Sequence, residues 1–330
     1  MKKFAIAILS IFLVCLTATA LTACNKESIK PVAKLTIVQP PIKTSYIQGE
    51  RFDPAGLIVN AEFEDGTTEE NVNFGILPDR PLQPTDTMVA VTYGDKKVGI
   101  DIKVLRRGNQ EQYSVANTPS DPTSPLKGKT YLFLGSSVTL GSGSGQESMA
   151  DFIAKRNDCV SIKKAVSGTT LADINNNSYV KRLETYIESN DRAPTLDAFI
   201  CQLSTNDANN PESFGTITAD NVKDASSFEK TTTFGAIEYI IARVKETWNC
   251  PVIFYTNSYY KNEGYADMVE ALHKISAKWN IAVIDLYSDT AFNNISESDY
   301  ELYMTDEIHP TKAGYREWWL PKFEETLKSL

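Results

Sequence analysis

Histidine is nearly absent: His273 and His309 are the only two in 330 residues. That count removes the common zinc-site patterns, and neither an HExxH motif nor an EF-hand loop occurs. A general base drawn from histidine has two candidates. Basic charge is also scarce, with 33 Lys and Arg against 42 Asp and Glu and a formal net charge of −9. Nucleic acid is therefore not an expected partner, because a phosphate backbone is met by a basic field. Nucleotide signatures are missing too: the glycine run 141–145 contains no GxGxxG, and no Gly-Lys-Ser/Thr follows it. With 42% hydrophobic residues the chain is too apolar for disorder, and its length favours two folded domains.

Cysteine is sparse and odd in its usable number. Of Cys15, Cys24, Cys159, Cys201 and Cys250, the first two fall in an N-terminal address segment. There Lys2 and Lys3 precede an apolar run, 4–16, the layout of an export signal and too short for a confident membrane span. Leu21-Thr22-Ala23-Cys24 resembles the bacterial lipobox, which implies lipidation of Cys24, removal of residues 1–23, and a lipid-tethered chain opening on a short tether, 24–31. The membrane partner is then the lipid anchor alone, and the location is extracytoplasmic at the bacterial cell membrane. Residues 1–23 hold two lysines and no acid, so the remainder is more acidic still. Cys159, Cys201 and Cys250 are read as structural and unpaired, with a single disulfide among them left open.

Residues 32–105 read as short strands at 34–38, 57–63, 87–93 and 98–104, with Asp65-Gly66 and Gly94-Asp95 as turns between them. This spacing fits an all-β sandwich without the Cys-Trp-Cys core of antibody domains. The stretch 46–57, followed by Phe63-Glu64-Asp65-Gly66-Thr67-Thr68 and Val91-Thr92-Tyr93-Gly94, resembles bacterial immunoglobulin-like domains of cell-surface proteins. The resemblance implies a spacer or adhesion module without catalytic residues. A carbohydrate-binding role through Tyr46 and Tyr93 is the alternative, weighed against their use in core or turn packing. Residues 106–128 are polar, rich in Pro and Ser and without period, and are expected to be a linker.

From 129 to 330 the pattern alternates. Strands are expected at 130–134, 159–166, 196–203, 251–255 and 281–286, with helices at 146–156, 179–187, 233–248, 265–279 and 311–327, the last kinked at Pro321. Such alternation predicts an α/β domain with a parallel sheet covered on both faces. Ligands of such sheets bind beyond the carboxyl ends of the strands. Those ends carry Gly135-Ser136-Ser137, Ser167-Gly168-Thr169 and Ser204-Thr205-Asn206-Asp207, while Asp306-Glu307-Ile308-His309 precedes the last helix. The set suffices for acyl transfer: a serine of the first block as nucleophile, His309 as its base, Asp306 to orient the imidazole. The N–H groups of Ser137 and Gly168 and the Asn206 amide are candidate oxyanion donors. Neither a cofactor nor a metal is needed.

These four blocks, in this order, resemble the SGNH hydrolases, also called GDSL-type esterases. The resemblance covers the whole of 129–330 and implies a three-layer α/β/α fold with a flavodoxin-like sheet, and hydrolysis of acyl esters, often acetyl groups on carbohydrates. The family pattern puts the nucleophile third in Gly-x-Ser, which implies Ser137; Ser136 stands where the family usually has Asp, and Ser204 where it usually has Gly. The glycine run 141–145 is expected to be a flexible loop bordering the acyl pocket, Tyr259-Tyr260 a sugar-binding rim and Trp318-Trp319 core. His273 lies in a helical stretch and is expected to face solvent or to cap packing, without a catalytic role. The reading is a surface lipoprotein whose immunoglobulin-like spacer carries a serine esterase for acylated small molecules or glycans. Its rivals are a lipase or thioesterase acting on longer acyl chains, and a non-catalytic glycan-binding or adhesion lipoprotein. A fragment beginning near Ser124 is expected to fold and to hydrolyse small esters at nearly the full rate.

Overall fold

The structure, a computed structural model, describes residues 30–330. The expected signal segment, Cys24 and most of the tether lie outside the described residues.

Eight short strands form the N-terminal unit: β1 (Val32–Gln39), β2 (Ser45–Ile47), β3 (Ile58–Phe63), β4 (Thr68–Glu69), β5 (Gly75–Leu77), β6 (Met88–Tyr93), β7 (Lys96–Asp101) and β8 (Lys103–Leu105). They are distributed over three small sheets. β1, β3 and β4 are antiparallel, as are β5, β6 and β7, and β2 pairs in parallel with β8. Alternate residues meet in one core around Val59, Leu82, Val89 and Val91, all fully buried. Tyr46 belongs to that core; its hydroxyl donates to the Lys43 carbonyl at 2.8 Å and accepts from the Asp53 N–H at 3.2 Å.

The second unit is built on five parallel strands: β9 (Thr130–Gly135), β10 (Val160–Ala165), β11 (Ala198–Gln202), β12 (Val252–Tyr255) and β13 (Ala282–Ile284), in the order β10-β9-β11-β12-β13. Each strand presents alternate residues to opposite layers. Leu132, Leu134, Phe199, Cys201, Val252 and Phe254 pack on one face; Tyr131, Phe133, Ile200, Ile253 and Tyr255 pack on the other. This two-sided burial explains the near-continuous apolar runs. The first face is covered by α3 (Tyr179–Glu188), α4 (Thr233–Trp248) and α5 (Glu263–Trp279). The second is covered by α2 (Met149–Asn157) and α8 (Leu320–Lys328), with a π-helical turn (Gly314–Trp319) before α8. The expected kink at Pro321 takes this form: the proline sits in the first turn of α8, where its missing N–H is tolerated, and the wide turn lies just before it. Trp319 is buried; Trp318 stacks on Phe292, centroids 4.5 Å apart. α1 (Ser137–Leu140), α6 (Thr290–Asn293) and α7 (Glu297–Tyr303) are short and lie at the loop end of the sheet. The chain turns to one side of β9 to form β10 and to the other to form β11, so a crevice opens between the ends of β9 and β11.

Residues 106–128, expected to be a linker, are bonded to this α/β unit. Asn109 Nδ2 donates to the Gly143 carbonyl at 2.8 Å and its Oδ1 accepts from the Lys312 N–H at 2.9 Å. The Val115 N–H donates to Glu147 at 2.7 Å, Arg316 donates to the Gln112 carbonyl at 2.6 Å, and the Asp121 N–H meets the Arg156 carbonyl at 2.6 Å. Gly108 packs so closely that a Cβ there would lie 1.9 Å from the Leu302 carbonyl oxygen. The polar composition is used locally: Asp121 accepts from both the N–H and the hydroxyl of Thr123, and Asn117 donates to the Glu111 carbonyl. Such turns order a segment that has no apolar period.

Cys159, Cys201 and Cys250 are free thiols. Burial pushes Cys159 and Cys250 up to about 11 and raises Cys201 as well, which leaves them unreactive.

Candidate active site

The end of β9 fixes the first block. Gly135 is the last residue of the strand, and a Cβ there would lie 1.6 Å from Thr139 Oγ1 and 2.8 Å from Gln202 Oε1, so only glycine permits α1 to start this close to the sheet. Gln202 Oε1, at the end of β11, accepts from the Ser136 N–H at 2.9 Å, the Thr139 N–H at 3.2 Å and the Thr139 hydroxyl at 2.8 Å. It caps the helix in place of a local side chain. Thr139 is held further by the Tyr255 hydroxyl at 2.6 Å. Ser136 is completely buried and its hydroxyl faces Gln202 at 3.4 Å. Ser137, one residue on, faces the other way.

Ser137 Oγ lies 2.8 Å from His309 Nε2, and His309 Nδ1 lies 2.9 Å and 3.0 Å from the two Asp306 oxygens. Asp306 Oδ1 also accepts the N–H groups of Ile308 and His309, at 2.9 and 2.8 Å, which locks the Asp-x-x-His turn. Burial works against its charge, but the hydrogen bonds from the His309 ring and from those two N–H groups prevail and hold its pKa at about 2. The His309 carbonyl accepts from the Thr305 N–H at 2.7 Å. Thr305 Oγ1 donates to the Gly143 carbonyl at 3.0 Å, the carbonyl that Asn109 also holds. The 141–145 run is thus a tied support under the histidine loop. The expectation of a flexible loop is corrected, because the carbonyl of its central glycine is held from two sides.

The other two blocks flank the crevice. Gly168 lies after β10 with φ +74° and is exposed. The carbonyl of the next residue, Thr169, accepts one Asn206 Nδ2 hydrogen at 2.8 Å, which leaves the second amide hydrogen free. Asp207 is buried and accepts the N–H groups of Leu171 and Ala172 and the Thr233 hydroxyl. Desolvation raises its pKa, against the hydrogen bonds from Ser204 and from those N–H groups. Its task is to clamp the glycine loop to β11. The structure therefore joins Ser137, His309 and Asp306 in one hydrogen-bonded chain and sets Gly168 and Asn206 beside one another. His273 stands apart, half exposed, with Nε2 2.7 Å from Asp285. Sequence reasoning missed Gln202 and Asn109, both of which act across the fold. It also missed Asn257, which is buried two residues past β12 with neither side-chain polar atom bonded within the protein.

A serine hydroxyl against an imidazole that a carboxylate holds, at the carboxyl edge of a parallel sheet, defines the class of the serine hydrolases. Residues 133–317 match the GDSL-like lipase/acylhydrolase family, over more than half of the chain. The chain belongs to that family and is an ester-hydrolysing enzyme. A crystal structure of a protein from Lactobacillus plantarum shares the fold, with a TM-score of 0.51 and 20% identity over 62% of this chain and 98% of that one. Also similar are a possible lipase from Chitinophaga pinensis, with a TM-score of 0.43 and 16% identity over 61% of this chain and 98% of that one, and the acetyl xylan esterase AlAXEase, with a TM-score of 0.41 and 19% identity over 60% and 98%. None of the curated proteins matches the sequence.

Proposed function

We propose that the protein is a cell-surface serine esterase that removes short acyl groups, acetyl above all, from carbohydrate. The observation that carries the reading is the unbroken chain Ser137–His309–Asp306 with separations of 2.8 and 2.9 Å. His309 takes the Ser137 proton as the hydroxyl attacks the ester carbonyl, and Asp306 stabilises the imidazolium. The Ser137 N–H, which as the first helical amide has no intrahelical acceptor, the Gly168 N–H and the free Asn206 hydrogen receive the oxyanion. The imidazolium returns its proton to the departing alcohol, and water releases the acyl group by the same steps.

The short-acyl preference is supported by the polar edge around the crevice, where Ser136, Ser204, Thr205, Thr256, Asn257 and Ser258 are all buried. Polar side chains at this edge offer a long alkyl chain no continuous apolar wall to bury against. The sugar preference is supported by Tyr259, which is 55% exposed and packs against Tyr287 with centroids 5.2 Å apart. It follows β12, two strand spacings or roughly 10 Å from β9. The location is supported by the N-terminal sequence alone: the lipobox-like Cys24 supplies the anchor and the immunoglobulin-like unit the spacer.

The test compares p-nitrophenyl acetate, p-nitrophenyl decanoate and acetylated xylo-oligosaccharides. Tyr259→Ala should lower kcat/KM on the oligosaccharides about tenfold and leave p-nitrophenyl acetate unaffected. Preference for the decanoate would refute the short-acyl reading, and equal effects on both short substrates would refute the sugar rim.

A further inference from the structure

α3 sends one cation to the back of the site, where no carboxylate of the described residues meets it. Arg182 is partly buried, and every hydrogen bond it makes goes to a neutral oxygen. Nη2 donates to the Gly135 carbonyl at 2.9 Å and to Thr169 Oγ1 at 3.0 Å; Nη1 donates to the Lys164 carbonyl; Nε donates to the Asn177 carbonyl at 2.9 Å. The guanidinium carbon lies 5.0 Å from the centroid of the Tyr179 ring.

These contacts have a pattern. The three candidate oxyanion donors come from three different strand ends: Ser137 after β9, Gly168 after β10, Asn206 after β11. Arg182 holds the first through Gly135, and the second through Lys164, on β10, and Thr169, which follows Gly168. Thr169 in turn fixes the third, since its carbonyl accepts the Asn206 amide at 2.8 Å. One planar fork therefore spans segments whose mutual spacing decides whether three donors meet one oxygen. No Asp or Glu among the described residues forms an ion pair with it, so it also favours negative charge developing in front of it.

We propose that Arg182 is a positioning residue of the oxyanion hole, acting through Gly135 and Thr169 and contributing an unpaired positive charge behind the donors. The proposal rests on the serine-esterase reading above. It predicts that loss of Arg182 is felt in the transition state and little in substrate binding.

The experiment uses the full chain and p-nitrophenyl acetate, with the melting curve of each variant recorded beside its kinetics. Arg182→Gln should lower kcat about 100-fold with KM changed less than about threefold, a loss of the size seen when one oxyanion donor is removed. Affinity for a trifluoromethyl ketone should fall by the same factor as kcat/KM. Arg182→Lys keeps the charge and loses the fork, and should recover part of the rate. Thr169→Val removes the hydroxyl link, together with the 2.7 Å bond from that hydroxyl to the Val166 carbonyl, and should lower kcat about tenfold in its folded fraction; it carries the test if the Arg182 variants do not fold. Unchanged kcat in Thr169→Val, or a loss in Arg182→Gln that appears in KM or merely follows the unfolded fraction, overturns the proposal. Full activity in Ser137→Ala would overturn the esterase reading and this proposal with it.

Discussion

Cutting the chain at two places separates the α/β unit from the strap that precedes it. A fragment from 124 to 330 loses five of the bonds that dock the strap: two from Asn109, one each from Gln112, Val115 and Asp121. At roughly 0.5–1.5 kcal/mol net for each hydrogen bond, the loss is about 5 kcal/mol. That equals the lower end of the whole stability of an ordinary domain. With a urea slope of about 2–3 kcal/mol per molar, the unfolding midpoint should fall by about 2 M relative to a fragment from 106 to 330. The effect on rate is separate. Asn109 bridges Gly143 and Lys312, and so ties the loop beneath His309 to the segment that follows the histidine; a shift of about 1 Å in the imidazole costs about 100-fold. Circular dichroism in urea and kcat on p-nitrophenyl acetate measure the two losses independently. Coincident unfolding curves and equal kcat for the two fragments would refute the reasoning and return 106–128 to the status of a passive linker. Retained activity in the fragment from 106 would show that the β-unit contributes nothing to the site.

Three further outcomes are expected. Ser137→Ala should abolish turnover and fluorophosphonate labelling, a loss of several powers of ten, whereas Ser136→Ala, which removes a hydroxyl facing Gln202, should keep the label; the opposite result would reassign the nucleophile. Because Asp306 has a depressed pKa of about 2, its charge and the hydrogen bonds that depend on it are present above the ordinary carboxylate range and are lost only as pH falls toward 2. His309→Ala should remove activity at every pH and His273→Ala should leave it unchanged, as pH–rate profiles of the variants will show. Cys24→Ser should move the protein from the membrane to the soluble fraction with esterase activity intact, and unchanged partitioning would exclude the lipid anchor.

What the sequence displayed was periodic or punctuated. β9, β11 and β12 were visible as apolar runs because each is buried on both faces, whereas the edge strands β10, which carries two lysines, and β13 are only partly buried. The Ser137, Gly168, Asn206 and His309 blocks were legible because each follows its strand or precedes its helix at a fixed place. Gln202, Arg182 and Asn109 were not. Their partners lie 66, 47 and 203 residues away, and nothing local distinguishes a strand-end glutamine or a helical arginine from a solvated one. The two- and three-residue strands β2, β4 and β5 are too short to show a period of two. The strap escaped because local polar turns, which order it, have the same composition as disorder.

One residue, Arg106, separates the end of β8 from the first turn of the strap. A free coil of the strap's length would let the enzyme roam by roughly 25–30 Å around its attachment. Docked against the α/β unit, that length adds almost no slack. The serine is therefore carried at the short distance from β8 that the docked strap sets, and the strap gives it no leash on which to search for substrate.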